Sequence, residues 1–233
     1  MSLNCNEINL ILDELDLENA FIQDIIQPGY NTLALYTYKE SSAKTLLICT
    51  AQNSVRLNQT NRKITKNDKP LRFMEFLRSH IKGCRINSIT QIGLERVVKL
   101  ELSRIAPAEN KKNESVVSIQ LPGITSMMNQ AGALPQKKEK KEEEKTEFYN
   151  LYIKLWNNAA NVILCDQNDV ILEPMFRRPE RNEIKDKVFA VPVPDKEKTL
   201  LSKDAFPIRK WNNGALRGVP AEGVAEDVEN GLC

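Results

Sequence analysis

Ile92-Gly93-Leu94-Glu95-Arg96 sets a carboxylate and a guanidinium side by side, next to a glycine. An arginine in a turn can contact a phosphate or a base edge, and a neighbouring carboxylate can orient it or accept from a base amine. The plainer reading of Glu95 and Arg96 is a surface ion pair worth under about 1 kcal/mol. A second basic group, Arg177, Arg178 and Arg181 with Lys185 and Lys187 beyond, follows a hairpin-like pattern. Planar guanidinium forks pair with phosphate oxygens, so three arginines at that exit can form a phosphate cradle. Otherwise FRRPERNEIKDK is an ordinary solvated loop. Residues 51–69 pose the same choice, with Arg56, Arg62, Lys63, Lys66 and Lys69 among asparagines and threonines: a solvated loop, or a surface that holds phosphates.

Other chemistries are poorly supplied. His80 is the one histidine of the chain, which all but removes hydrolytic triads and histidine-rich metal sites. Cys5, Cys49, Cys84, Cys165 and Cys233 are scattered and never in CxxC spacing, so they read as buried free thiols of a reducing cytoplasm rather than as disulfides or zinc ligands. No catalytic residue, metal or cofactor is expected. The net charge of +2 over 233 residues advertises no nucleic-acid partner, so any such binding must come from a local patch. No apolar run has the roughly 18 residues of a membrane span, and the amino terminus lacks the pattern of a secretory signal. A cytoplasmic protein without membrane contact is expected.

Helices and antiparallel strands must position these groups. Ser2 can cap a first helix with Ile8, Ile11, Leu12 and Leu15 on its buried stripe. Residues 20–27 and 32–38 read as strands across Pro28-Gly29-Tyr30-Asn31, and 44–50 as a third. Pro70 suits the first position of a second helix, with Phe73, Met74, Leu77 and Ile81 facing inward and Phe76 and His80 on a flank. Gly83 suits the left-handed residue that ends it. Strands follow over 85–92 and 96–102, so Glu95 and Arg96 stand at a strand end. Ser115 to Leu121 reads as another short strand. Later, Tyr149, Leu151, Ile153 and Leu155 share one strand face, and 160–165 and 170–175 form a hairpin. Alternating βαβ units are absent, which argues against a dinucleotide-binding sheet.

Residues 122–146, with small residues and the run KKEKKEEEK, cannot bury enough apolar surface to order themselves and read as a disordered low-complexity insertion. Residues 195–233 read as a linker or a truncated tail after a domain spanning 1–194.

The segments FMEFLRSHIKGCRI, QIGLERV, FYNLYIKLW, NVILCD and VFAVP, in this order, resemble the amino-terminal domain of the NFACT family, also known as the fibronectin-binding protein A amino-terminal domain. The resemblance covers roughly residues 2–194, and LRSHIKG followed by IGLER is its specific part. It implies an α+β fold of antiparallel β-sandwich-like sheets flanked by helices, similar to the amino-terminal domain of formamidopyrimidine-DNA glycosylases. It implies a non-catalytic RNA-binding module of ribosome-associated quality control, with transfer RNA and the obstructed large ribosomal subunit carrying peptidyl-tRNA as partners. The family's Asp-Arg pair after Gly-Leu falls on Glu95 and Arg96, one methylene longer at the acid. Arg56, Arg78, His80, Asn161, Arg177, Arg178 and Arg181 complete the expected RNA-contacting set. Two segments depart from the family: Asn157-Asn158-Ala159-Ala160-Asn161 stands where Gly-Arg-His-Ser-Asn is common, and Gln52-Asn53 where His-Pro is common. An adhesin-type role with fibronectin as partner is the alternative. A glycosylase-type enzyme is nearly excluded, because Met1-Ser2-Leu3 offers no amino-terminal proline nucleophile.

Overall fold

Asn4 and Glu7 start the first helix. The Asn4 side chain accepts from the Glu7 N–H at 2.9 Å and the Glu7 carboxylate accepts from the Asn4 N–H at 2.8 Å, a reciprocal capping box. The structure, a computed structural model, describes residues 3–67, 69–105, 146–193 and 208, so the expected cap Ser2 lies outside it. Helix α1 (Cys5–Leu15) buries Ile8, Ile11, Leu12 and Leu15 as its spacing predicts, and Glu7 with them. The capping role of Glu7 draws its carboxylate inward.

A meander follows: β1 (Phe21–Gly29), β2 (Thr32–Lys39) and β3 (Ser42–Cys49), all antiparallel. Glu40 and Ser41, both at positive φ (45° and 69°), make the tight β2–β3 turn. Polarity predicts a loop over residues 51–69, but they are not wholly one. Arg56–Gln59 pairs with the end of β3 as β4, burying Leu57. Four residues are too few for a strand period to stand out in a polar stretch.

Pro70 precedes the helix rather than opening it: Leu71 is the N-cap and α2 spans Arg72–Ile81. Phe73, Met74, Leu77 and Ile81 are buried, and Gly83 turns the chain out at φ +83°. Next come β5 (Arg85–Gln91) and β6 (Val97–Ile105), then β7 (Thr146–Lys154), β8 (Asn161–Asp166) and β9 (Ile171–Pro174). Among the described residues these strands make one nine-stranded sheet, in the order β4-β3-β2-β1-β5-β6-β7-β8-β9. Contacts at both ends, the Leu155 N–H on the Arg96 carbonyl and the Arg104 guanidinium on the Glu147 carboxylate, make β7 antiparallel to β6.

The two halves of the sheet join only at a corner. β1 and β5 pair through Phe21 and Arg85, with the Ile22 N–H on the Cys84 carbonyl and the Ile86 N–H on the Ala20 carbonyl. Beyond that point β1 runs on without β5, and the Arg78 guanidinium takes over its Ile25 carbonyl at 2.9 Å. Helix α1 packs against β4 and β5, and α2 against β1 and β9, so each helix touches both halves. One apolar core results, joining Ile22, Leu35 and Ile48 of the first half to Ile86, Leu100, Leu151 and Leu164 of the second. The second half is buried on its other face too, where Val97, Tyr152, Ile163, Cys165 and Ile171 meet Phe189. This is the expected α+β antiparallel architecture. The strand expected at 115–121, most of the insertion 122–146 and nearly all of 195–233 lie outside the described residues.

Candidate nucleic-acid interface

The 92–96 turn is fixed by its own backbone. The Ile92 N–H donates to the Val97 carbonyl at 2.9 Å, the Glu95 N–H to the Ile92 carbonyl at 3.0 Å, and the Gln91 amide to the Glu95 carbonyl at 2.7 Å. Gly93, at φ +54°, supplies the left-handed residue. Glu95 and Arg96 are half-buried and engaged within the fold. Burial pushes the Cys5 thiol pKa up, while N–H groups of the first turn of α1 and the charge of Arg96 pull it down. On the other side the Arg96 carbonyl accepts from the Leu155 N–H at 2.8 Å.

Two residues beyond Leu155, the β7–β8 turn enters the wall of a cleft of about 440 Å³. Asn31, Thr50, Gln52, Asn157, Asn158, Phe176 and Arg178 line it. Asn53 and Asn157 clasp across from the two halves of the sheet: the Asn53 N–H donates to Asn157 Oδ1 at 2.7 Å, and Asn157 Nδ2 to Asn53 Oδ1 at 3.0 Å. The two segments that depart from the family pattern, distant in sequence, are thus one structural unit. Arg56, exposed on β4 opposite Cys49, stands at the same end of the sheet.

Behind the cleft lies a buried charge cluster. Glu183, 2% exposed, receives Lys154 Nζ on one oxygen and Asn161 Nδ2 on the other at 2.7 Å. Arg178 Nη1 stands 4.0 Å from the same carboxylate, too far for a hydrogen bond, while Nη2 donates to the Ala160 carbonyl at 3.1 Å. Its guanidinium lies 5.7 Å from the centre of the Phe176 ring. Lys154 and Arg178 against Glu183 leave one formal positive charge at the wall. Uncharged amides with a partly exposed guanidinium and an aromatic ring suit a ligand with hydrogen-bonding edges, a flat face and an anionic group.

The remaining expected residues do not gather here. Asn161 is a correction: it is fully buried, its amide donates to the Phe176 carbonyl at 2.9 Å and to Glu183, and its oxygen accepts from the Val162 and Phe176 N–H groups. It ties Phe176 of the cleft lining to Glu183 and has no surface to offer RNA. The three-arginine cradle is a second correction. Arg177 turns instead toward Glu173, which it shares with Arg72, and Arg181 lies exposed in the short turn Pro179–Arg181. Arg78 pairs with Asp24 at 2.9 Å beside β1, and His80 stacks on Phe76 with ring centres 4.0 Å apart, near Tyr149 at the far end of β7. Sequence reading named Asn31 only as part of a turn and Asn158 only within a departing segment, and it did not name Phe176, Lys154 or Glu183 as site residues. Asparagines at turns look like turn formers, and a lone buried ion pair leaves no local pattern.

A comparison with protein families matches residues 7–189 to the NFACT N-terminal and middle domains. The chain belongs to the NFACT family. The fold is shared with solved structures at low identity. The fibrinogen binding protein from Staphylococcus aureus superposes with a TM-score of 0.61 at 19% identity, over 84% of this chain and 58% of that one. The N-terminal part of the fibronectin/fibrinogen-binding protein from Streptococcus suis gives 0.63 at 18%, over 83% and 62%. The N-terminal domain of the fibronectin-binding protein PavA from Streptococcus pneumoniae gives 0.61 at 20%, over 86% and 69%. This NFACT chain therefore spans less than two thirds of the first two. Comparison with curated protein sequences gives no match. Among the described residues no helix is long and apolar enough to cross a membrane, and no three His, Cys, Asp or Glu side chains cluster as metal ligands.

Proposed function

We propose that this chain is a non-catalytic RNA-binding module of ribosome-associated quality control, engaging transfer RNA on the obstructed large ribosomal subunit. Membership of the NFACT family over residues 7–189 is the observation that carries the reading. The geometry at one end of the sheet supports it: the Glu95–Arg96 turn leads through Leu155 to an amide-lined cleft with Arg178 on its wall. Amide side chains match base edges and a guanidinium matches a phosphate or a base face, which are the contacts that unstacked RNA offers. Nothing in such a contact requires a bond to be made or broken, and the protein acts by holding its partner in place.

Binding of purified transfer RNA, measured by fluorescence anisotropy at two salt concentrations, tests the reading. Affinity should fall as salt rises, because phosphate contacts release counterions. Arg96→Ala should weaken binding by roughly 1–3 kcal/mol if the side chain makes a direct polar contact. A folded variant with wild-type affinity would remove Arg96 from the interface.

A second reading, fibronectin binding, is favoured by the names of two of the structural relatives. Immobilised fibronectin in place of RNA separates the two. Saturable capture of the chain, with no salt-sensitive RNA binding, would favour adhesion.

A further inference from the structure

The outer face of the first half-sheet carries a feature that neither the cleft nor the 92–96 turn uses. Phe21 on β1 and Tyr38 on β2 are direct cross-strand partners, and Phe21 is in turn opposite Arg85 on β5. Residues opposite one another across antiparallel strands point to the same face, about 4.8 Å apart per strand. Tyr38, Phe21 and Arg85 therefore form one row across three strands. The row is open: Phe21 is 51% and Tyr38 40% exposed, and Arg85 is exposed with its guanidinium resting on the Asn19 side chain. Half-buried Tyr36, two residues before Tyr38, extends the aromatic surface along β2 toward Asp24, its own cross-strand partner.

Adjacent exposed aromatics on a strand pair have a plain structural use, since a cross-strand aromatic pair helps to hold a hairpin together. That use does not account for the cations around them. Lys66, Arg78 and Lys82 all act on the single carboxylate of Asp24, and Arg85 ends the row. At the other margin the charges of Asp16, Glu40 and Glu18 act on Lys39, and Glu18 also precedes Asn19, the partner of Arg85. The β1–β5 margin is thus basic and the β2–β3 margin mixed.

Resting on the RNA-binding reading above, we infer that the row Tyr38–Phe21–Arg85 is a stacking platform for unstacked bases of a single-stranded RNA segment, with the phosphates lying along Arg85, Lys82 and Lys66. Flat side chains on a sheet surface accept bases of any sequence, because every base has a π-face, and a guanidinium plane serves the same purpose. The charge asymmetry sets the course of the backbone, along the β1–β5 margin and away from Glu40. The platform lies where β5 begins and the 92–96 turn where β5 ends and β6 begins, so one RNA with a loop and a stem can meet both.

The test uses the full chain and a labelled single-stranded twelve-nucleotide RNA, with transfer RNA and a fully paired RNA hairpin stem alongside. Phe21→Leu/Tyr38→Leu keeps apolar bulk on the hairpin but removes the rings, and circular dichroism checks its fold. Single-strand affinity should fall about tenfold or more, the scale of losing one stacked base, and stem affinity should stay unchanged. Phe21→Trp should restore or exceed wild-type affinity. Equal loss on single strand and stem, or wild-type affinity in the leucine variant, would overturn the platform. If transfer-RNA binding then still falls on Arg96→Ala, the broader RNA reading stands without it. No binding of any RNA by the wild type would end both.

Discussion

Asn161 and Arg178 sit close together yet have opposite fates. Asn161 satisfies its amide wholly within the protein, whereas Arg178 spends one nitrogen on the Ala160 carbonyl and keeps part of its guanidinium at the cleft. What separates them is Glu183, whose two oxygens are claimed by Lys154 and Asn161 before Arg178 can reach hydrogen-bond distance. Glu183→Gln leaves Lys154 buried against a neutral partner. Breaking such a pair costs about 3–5 kcal/mol, so urea unfolding should show a loss near the lower figure. Lys154→Met with Glu183→Leu should recover most of it, because an apolar pair avoids the desolvation of two ions. A Glu183→Gln variant as stable as wild type would mean that the cluster contributes specificity of shape rather than stability. Sequence could name Arg178 as a basic residue in a basic run; it could not say that Arg177 next to it faces another carboxylate.

At the scale of elements, α2 and the strand after it depend on one residue. Gly83 sits at φ +83° and passes the chain from the helix to the β1–β5 corner, its N–H donating to the Ile22 carbonyl at 2.8 Å. A Cβ built there meets nothing within 4 Å. The cost of Gly83→Ala is then backbone strain alone, about 1–2 kcal/mol, and Gly83→Asn should cost less because asparagine tolerates that region. Denaturant midpoints of the two variants check both the size and the order. A loss well above this range would point to a clash that the open space at Gly83 does not provide. The helix stripe, its glycine stop and the paired strands around 92–96 were legible from spacing. β4 was not, because its pairing depends on the end of β3 rather than on any pattern of its own.

For the molecule as a whole, burial sets how stability responds to pH. Burial pushes the Cys84 thiol up to about 11 and, helped by Glu147, the Tyr149 hydroxyl up to about 12. Cys165 and Tyr152 are also raised, chiefly by burial. A group with a raised folded pKa keeps its full contribution below its unfolded value and loses it as pH rises toward the folded one, since only the unfolded chain has released the proton. Denaturant midpoints should therefore be steady up to about pH 9, the ordinary thiol value, and fall above it. At the acid end the sign reverses for Asp24: burial opposes its ionisation, but the Ile25 N–H, Arg78, Lys66 and Lys82 outweigh it and hold the carboxyl below its usual range. Its contribution is present above the ordinary carboxylate range and is lost as pH falls through the lowered value. A midpoint level from pH 8 to 11 would show that the buried thiols and phenols are not kept neutral by the fold.

Local pattern was enough to read the class of structure and the family resemblance: periodicities of helix and strand, the glycine positions, and the order of LRSHIKG and IGLER along the chain. Those are local properties, set by backbone sterics and by which face of an element is apolar. Tertiary structure alone decided which polar residues share a place. The Asn53–Asn157 clasp joins residues far apart in sequence, and the Tyr38–Phe21–Arg85 row exists only because β1 pairs with β2 along its length and with β5 at one corner. Charge and aromatic character are written in the sequence, but adjacency across strands is fixed by register, and register is fixed by the packing of the whole core.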